Sequence, residues 1–127
     1  MMTKTNRSNE ELALIVVAAG SSSRMGGIKK EYLPLESGTV LSTAVKAFLR
    51  TLPFSVVAVT FPNQENPELL KSAEEKCKNA LFEDKEFNKI ANNTEFIFVP
   101  GGASRQASVF NALLKIKANF PNSNPVV

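Results

Sequence analysis

A run of small and cationic residues near the start of the chain has the composition of an anion-binding loop. Residues 18–30 read AAGSSSRMGGIKK. Small side chains let a polyanion approach the backbone, so that successive N–H groups of Gly20, Ser21 and Ser22 could surround it. Arginine grips phosphate oxygens through paired donors, and lysine adds a compact charge. The loop therefore suits a nucleoside triphosphate, with an ordinary solvated turn as the alternative interpretation.

The spacing of this loop fits neither of two common phosphate-binding motifs. Counted from Gly20, the pattern GxxxxGK places Met25 where glycine is required. The pattern GxGxxG has Ser22 and Met25 at its second and third glycines. The motifs of P-loop and dinucleotide-binding proteins therefore do not explain the loop.

A second small-residue segment, residues 101–108, reads GGASRQAS. Paired glycines permit close backbone approach, and Ser104 is suited to cap a following helix. Arg105 and Ser108 are then donors near a helix N-terminus, where an anion or a base carbonyl oxygen is favoured. A capped helix with an exposed arginine is the alternative.

Alternating apolar segments must position both loops. Strands are predicted at residues 12–18, 55–61 and 95–99 and from 126 onward; helices are predicted at 40–52, from Asn66-Pro67 onward, and around 109–116. Residues 82–93 are expected to be an irregular connection that could include a helical turn. This order predicts an α/β fold with a mostly parallel sheet and helices on both faces. Both loops directly follow strands, so they should share the sheet edge where ligands bind in such folds.

Composition excludes several classes of function. The 127 residues include no histidine, which excludes histidine-based acid–base catalysis and histidine metal sites, and Cys77 is the only cysteine. The net charge of +3, without a basic run, argues against nucleic-acid binding. No apolar segment is long enough to span a membrane. Glu10 and Glu11 beside the first apolar run argue against a signal peptide, so we expect a cytoplasmic protein.

Three segments together resemble the 2-C-methyl-D-erythritol 4-phosphate cytidylyltransferases of the non-mevalonate isoprenoid pathway. They are AAGSSSRMG at residues 18–26, KEYL at 30–33 and GGASRQASV at 101–109. The first is shared widely among nucleotidyltransferases, and the last is more specific to this family. The resemblance extends over essentially the whole chain from Leu12.

The resemblance implies a Rossmann-like fold of the nucleotidyltransferase type. It implies that the phosphate oxygen of methylerythritol phosphate attacks the α-phosphorus of CTP, with Mg²⁺ assisting and pyrophosphate leaving. Arg24 and Lys30 would be catalytic and stabilise the transition state. The nucleotide would be bound by Ala18, Ala19, Gly20, Ser21, Ser22, Gly102, Ala103, Arg105 and Ser108.

The chain also departs from the family pattern. Ser22 stands where many relatives have glycine, and Glu31 where glutamine is frequent. Lys29 replaces the usual proline in a loop one residue shorter, so Lys29 and Lys30 both remain candidates for the catalytic lysine.

Relatives are longer than this chain. We therefore expect residues 1–11 to be a flexible tail and residues 12–127 to be the N-terminal portion of a cytidylyltransferase domain. A metal-binding aspartate, the residues that hold the acceptor and a dimerisation arm are expected beyond Val127, with a homodimer as the full-length state. The chain alone is then expected to have little or no turnover.

Three other functions stay open. The acceptor could be another polyol phosphate, such as ribitol 5-phosphate. A molybdenum-cofactor nucleotidyltransferase has a similar Arg-Met-Gly loop, but residues 101–108 argue against it. A non-catalytic nucleotide-binding module would keep the fold without the chemistry.

Overall fold

The computed structural model describes residues 11–18, 24–25 and 28–126, with the backbone alone at Arg24 and Met25. The strands are β1 (Glu11–Val17), β2 (Arg24–Met25), β3 (Ile28–Lys29), β4 (Pro34–Leu35), β5 (Gly38–Thr39), β6 (Phe54–Phe61), β7 (Glu95–Pro100) and β8 (Ser123–Val126). The helices are α1 (Val40–Thr51), α2 (Pro67–Phe82), α3 (Lys85–Ile90) and α4 (Arg105–Asn119), and a 3-10 turn spans Lys30–Tyr32.

Four of the strands form one parallel sheet in the order β7-β6-β1-β8. In β6, every residue except Ser55 is buried. A strand covered on both faces reads as a continuous apolar run, which is why residues 55–61 predicted it from sequence. The predicted α/β fold with a parallel sheet is confirmed.

Helices cover both faces of this sheet. Alternate residues of β6 point to opposite sides. Val57, Val59 and Phe61 pack in the larger core with α1, α2 and α3, whereas Val56 and Ala58 pack with α4. The two cores lie on opposite sides of the sheet, so β6 and β1 are covered on both faces.

All four helices begin at side-chain caps. Thr39 accepts a hydrogen bond from the amide of Ser42, and the Ser42 hydroxyl accepts one from the amide of Thr39, which forms a capping box for α1. Asn66 caps α2 ahead of Pro67, as its sequence predicted. Ser104 accepts from the amide of Ala107 at the start of α4.

A buried ion pair joins α1 to α3. Lys46 Nζ lies 2.9 Å from Asp84 Oδ2, and the Ser42 hydroxyl donates to the same oxygen at 2.8 Å. Asp84 Oδ1 accepts from the amides of Glu86 and Phe87 and so caps α3. Burial by itself raises the pKa of Asp84, but the bonds from Lys46 and Ser42 outweigh it and the pKa is lowered. The same bond to Asp84 raises the pKa of Lys46.

Several predicted boundaries are wrong. Residues 82–93, expected to be irregular, contain the six-residue helix α3, because Asp84 provides a cap that we overlooked. The last strand begins at Ser123 rather than at Val126, since Ser123, Asn124 and Pro125 pair with β1 despite their turn-forming character. Glu11, assigned to the tail, is the first residue of β1; the other ten tail residues lie outside the described part.

Candidate functional site

The first residues after β1 and β7 are both bound to the end of β6. The Ala18 amide donates to the Thr60 carbonyl at 3.2 Å, and the Gly101 amide donates to the Phe61 carbonyl at 2.8 Å. Thr60 and Phe61 are the last two residues of β6. The two predicted loops therefore leave the same sheet edge from strands on either side of β6, as expected from the sequence.

The Ala18 peptide is held by two buried side chains. The Thr60 hydroxyl accepts from the Ala18 amide at 3.1 Å, and Lys29 Nζ donates to the Ala18 carbonyl at 2.9 Å. Thr60 is 0% exposed and Lys29 is 3% exposed. Both backbone polar groups of Ala18, a predicted nucleotide contact at the start of the first loop, are therefore hydrogen-bonded within the protein.

Most of the first loop falls outside the described part of the chain. This applies to Ala19, Gly20, Ser21 and Ser22, whose predicted contacts with nucleotide stay predictions. The backbone of Arg24 is described in β2, where it pairs antiparallel with Lys29 of β3. Lys29 therefore contacts both Ala18, through its side chain, and Arg24, through its backbone.

The two candidate lysines differ in environment. Lys30 is exposed and begins the 3-10 turn, with its carbonyl accepting from the amide of Leu33. Lys29 is buried, 4.0 Å from a carboxylate oxygen of Glu31 and 5.9 Å from the ring centroid of Tyr32. Lys30 therefore has the ammonium accessible to a ligand, and Lys29 has one committed to the protein. Which lysine is catalytic stays a prediction.

The second loop is joined to the helix that follows it. The Gly102 amide donates to the hydroxyl of Ser108, which is itself 3% exposed. A side chain at residue 102 would collide with Cβ of Ala107, so this position requires glycine because the first turn of α4 is close. Ala103 and Arg105 are exposed. Their predicted contacts with base and ribose, like that of Ser108, stay predictions.

A cavity of about 240 Å³ lies between the lysine segment and α2. Lys29 and Tyr32 line it on one side and Ser72, Ala73 and Lys76 on the other. The lining thus contains a second cation, Lys76, in addition to the buried Lys29. The sequence did not single out Lys76, because an exposed lysine on an amphipathic helix is usually solvated.

Sequence reasoning also overlooked Thr60 and the role of Lys29. Thr60 had a detectable signal, since it is a polar residue inside the otherwise apolar segment SVVAVTF. Lys29 had none, because adjacent lysines in a small-residue loop normally both face solvent.

Two further features of the described residues bear on chemistry. Burial raises the pKa of Cys77 to about 11, so the thiolate is scarce at neutral pH, in agreement with a structural core residue. The described part of the chain contains no group of three or more His, Cys, Asp or Glu side chains able to hold a metal ion. Nor does that part contain a helix with the length and apolarity required to cross a membrane.

A parallel sheet in this strand order, with helices on both faces and two loops that leave one edge from the strands on either side of β6, defines a Rossmann-like domain of the α/β class. The family model described as 2-C-methyl-D-erythritol 4-phosphate cytidylyltransferase matches residues 12–121. The chain belongs to this family.

Curated relatives of the same description agree. The chain is 32% identical over 108 residues to the protein from Desulforamulus reducens, a match that covers 83% of this chain and 40% of the relative. It is 34% identical over 109 residues to the protein from Pelotomaculum thermopropionicum, covering 84% of this chain and 40% of that one. The chain thus spans about 40% of the length of the curated relatives it matches.

Proposed function

We propose that this chain binds CTP at the edge formed by the ends of β1, β6 and β7. Ala18, Ala19, Gly20, Ser21 and Ser22 would bind the triphosphate side through their backbone. Gly102, Ala103, Arg105 and Ser108 would surround the base and ribose. The hydrogen bonds of Ala18 and Gly101 to adjacent residues of β6 carry this proposal, because they bring the starts of both loops to one edge.

We further propose that the bound nucleotide serves cytidylyl transfer to 2-C-methyl-D-erythritol 4-phosphate. An oxygen of the acceptor phosphate forms a bond to the α-phosphorus of CTP. The bond from that phosphorus to the bridging oxygen breaks, and pyrophosphate leaves with the electron pair. Such a reaction depends mainly on positioning and charge neutralisation, so a chain without histidine can contribute to it.

Arg24 and Lys30 are the residues proposed to neutralise charge at the α-phosphate. A guanidinium and an ammonium near the equatorial oxygens stabilise the charge that develops in the transition state. The exposure of Lys30 supports its part of the proposal.

Magnesium is the expected cofactor, as the family resemblance implies. The described residues do not fit a magnesium site, since they offer no carboxylate cluster. The acceptor and a second copy of the chain in a homodimer are proposed partners.

Nucleotide titration by calorimetry tests the first part. We expect CTP to bind more tightly than GTP, and Arg24→Ala and Lys30→Ala each to weaken CTP binding roughly ten-fold through the loss of a charged hydrogen bond. Lys71→Ala, on the exposed face of α2, is the matched control and should leave the affinity unchanged. CTP affinity equal to that of the native chain in both variants, or a preference for GTP, would contradict the assignment.

Pyrophosphate release tests the second part. Turnover with methylerythritol phosphate but not ribitol 5-phosphate supports the proposed acceptor, and the reverse result supports the other polyol. CTP binding with little or no turnover is the result expected of this chain alone, and pyrophosphate release that matches that of a full-length relative would contradict this expectation. A preference for GTP would favour a molybdenum-cofactor nucleotidyltransferase instead.

A further inference from the structure

We propose that Lys29 is a positioning residue that holds the Ala18 peptide and the backbone of Arg24, two positions on either side of residues 19–23. The inference rests on the proposed function and adds to it a residue where the family resemblance leads one to expect proline. Lys29 acts here through Ala18 and Arg24 and does not itself contact the nucleotide.

The first observation is the contact at the start of the loop. Lys29 Nζ donates to the Ala18 carbonyl at 2.9 Å, closer than its 4.0 Å approach to Glu31 or its 5.9 Å distance from the Tyr32 ring. The amide of Ala18 donates to the carbonyl and to the hydroxyl of Thr60. Both polar groups of Ala18 are thus satisfied by partners on different strands.

The second observation is the contact at the end of the loop. Lys29 lies in β3, and its backbone pairs with Arg24 in β2. Through its side chain and its main chain, Lys29 therefore joins Ala18 and Arg24, which lie on either side of residues 19–23. A change in Lys29 alters the placement of Ala18 relative to Arg24.

The third observation is the cost of this arrangement. The side chain of Lys29 is buried, at 4% exposure, and burial of an ammonium group is unfavourable unless hydrogen bonds replace its hydration. An apolar side chain would fill the same place beside the cavity without that penalty. Local departures from packing rules of this kind are expected where a residue serves a site rather than the core.

The test compares Lys29→Met, which removes the donors and keeps the length, with Lys29→Arg, which keeps a buried cation. Thr60→Val removes the other side chain that holds Ala18. Lys71→Met on the exposed face of α2 is the matched control. Each variant is assayed for CTP affinity by calorimetry, for amide exchange at Ala18, and for its urea midpoint, so that nucleotide binding is measured only on folded protein.

We expect Lys29→Met to weaken CTP binding roughly ten-fold and to speed exchange at Ala18, with Lys29→Arg recovering most of both. Because Lys29 and Thr60 act on one peptide, the double variant should lose less than the sum of the single losses. Lys71→Met should match the native chain.

Unchanged CTP affinity and unchanged exchange at Ala18 in folded Lys29→Met would overturn the inference. Strictly additive losses in the double variant would also overturn it. If the native chain fails to bind CTP, the proposed function fails. The exchange measurement then still decides whether Lys29 fixes Ala18.

Discussion

The amide of Gly102 donates a hydrogen bond of 3.0 Å to the hydroxyl of Ser108, so the second loop is tied to the helix that it precedes. Six residues separate the two positions in the chain, and both were predicted to contact nucleotide. The shape of this loop therefore depends on α4 as well as on its own glycines.

Replacement of Ser108 by alanine should disorganise the loop while preserving the fold. The lost bond leaves the Gly102 amide without this acceptor, and we expect a stability loss of about 1 kcal/mol. CTP affinity should also fall several-fold when it is measured on fully folded protein, which the loss of stability does not explain. Urea unfolding and calorimetric titration measure the two effects.

Ser104→Ala provides the matched control. It removes the cap of α4 at a similar cost of about 1 kcal/mol but leaves the Gly102–Ser108 bond in place. Equal losses of CTP affinity in the two variants would show that helix stability, and not the loop contact, controls binding.

Gly102→Ala should be more damaging than its exposed position suggests. The new methyl group would collide with Cβ of Ala107, so either the loop or the start of α4 must shift. We expect a loss of both stability and CTP affinity, measured by thermal unfolding and titration. In Gly102→Ala/Ala107→Gly the collision between the two methyl groups is removed. The double variant should recover part of the affinity, although Ala107→Gly alone costs about 1 kcal/mol in helix propensity.

The Lys46–Asp84 pair should dominate the pH dependence of stability below neutrality. The pKa of Asp84 is lowered in the folded state, so its stabilisation is complete above the unfolded value of about 4 and is lost as pH falls through the folded value. Asp84→Asn should cost about 3 kcal/mol at neutral pH, because it leaves the buried Lys46 without its buried charge partner. The same variant should flatten the acid limb of a plot of unfolding free energy against pH.

Glu86→Gln is the control for this experiment. Glu86 also pairs with Lys46, at 2.9 Å, but its side chain is half exposed. Exposed pairs contribute less than about 1 kcal/mol, so this variant should keep most of the acid dependence. If the free energy of unfolding still falls with acid in Asp84→Asn but no longer does so in Glu86→Gln, then Glu86 and not Asp84 accounts for the acid dependence.

Cys77 should react with thiol reagents only when the protein unfolds. Its side chain is fully buried, and its pKa is raised to about 11 by burial. At pH 8 we expect the alkylation rate of the native chain to rise with urea in parallel with global unfolding. Lys71→Cys, assayed in a Cys77→Ala background, should react at once. Rapid labelling of native Cys77 without denaturant would show that the core around α2 opens locally.

The sequence predicted the parts of the fold that follow from uninterrupted patterns. Apolar segments gave β1, β6 and β7, and the helix-start signal Asn66-Pro67 gave α2. Helix α3 was overlooked because its six residues are too short to show a period, and its start depends on Asp84, whose ion pair with Lys46 spans 38 positions. The strand β8 was shortened because Pro125 and its neighbours have turn-forming character, which pairing with β1 overrides.

The candidate site, too, was predicted only in part from the sequence. That both loops start at one sheet edge follows from strand order, which sequence alone can give. The burial of Lys29 depends on an antiparallel pair of two-residue strands, β2 and β3, which is far too short for any periodic signal. The hydrogen bond from the Gly102 amide to the Ser108 hydroxyl was likewise not predicted. No sequence pattern indicates that a serine within a helix will accept a hydrogen bond from the loop before that helix.

The bonds from Ala18 and Gly101 to the end of β6 join main-chain atoms only. The bond at Gly101 therefore does not depend on the identity of any side chain, whereas the side chains of Thr60 and Lys29 add two further bonds at Ala18. A segment grafted from a longer relative after Gly101 should keep its attachment to β6 whatever its composition. A segment grafted after Ala18 should keep the full set of bonds only if it carries a lysine at position 29.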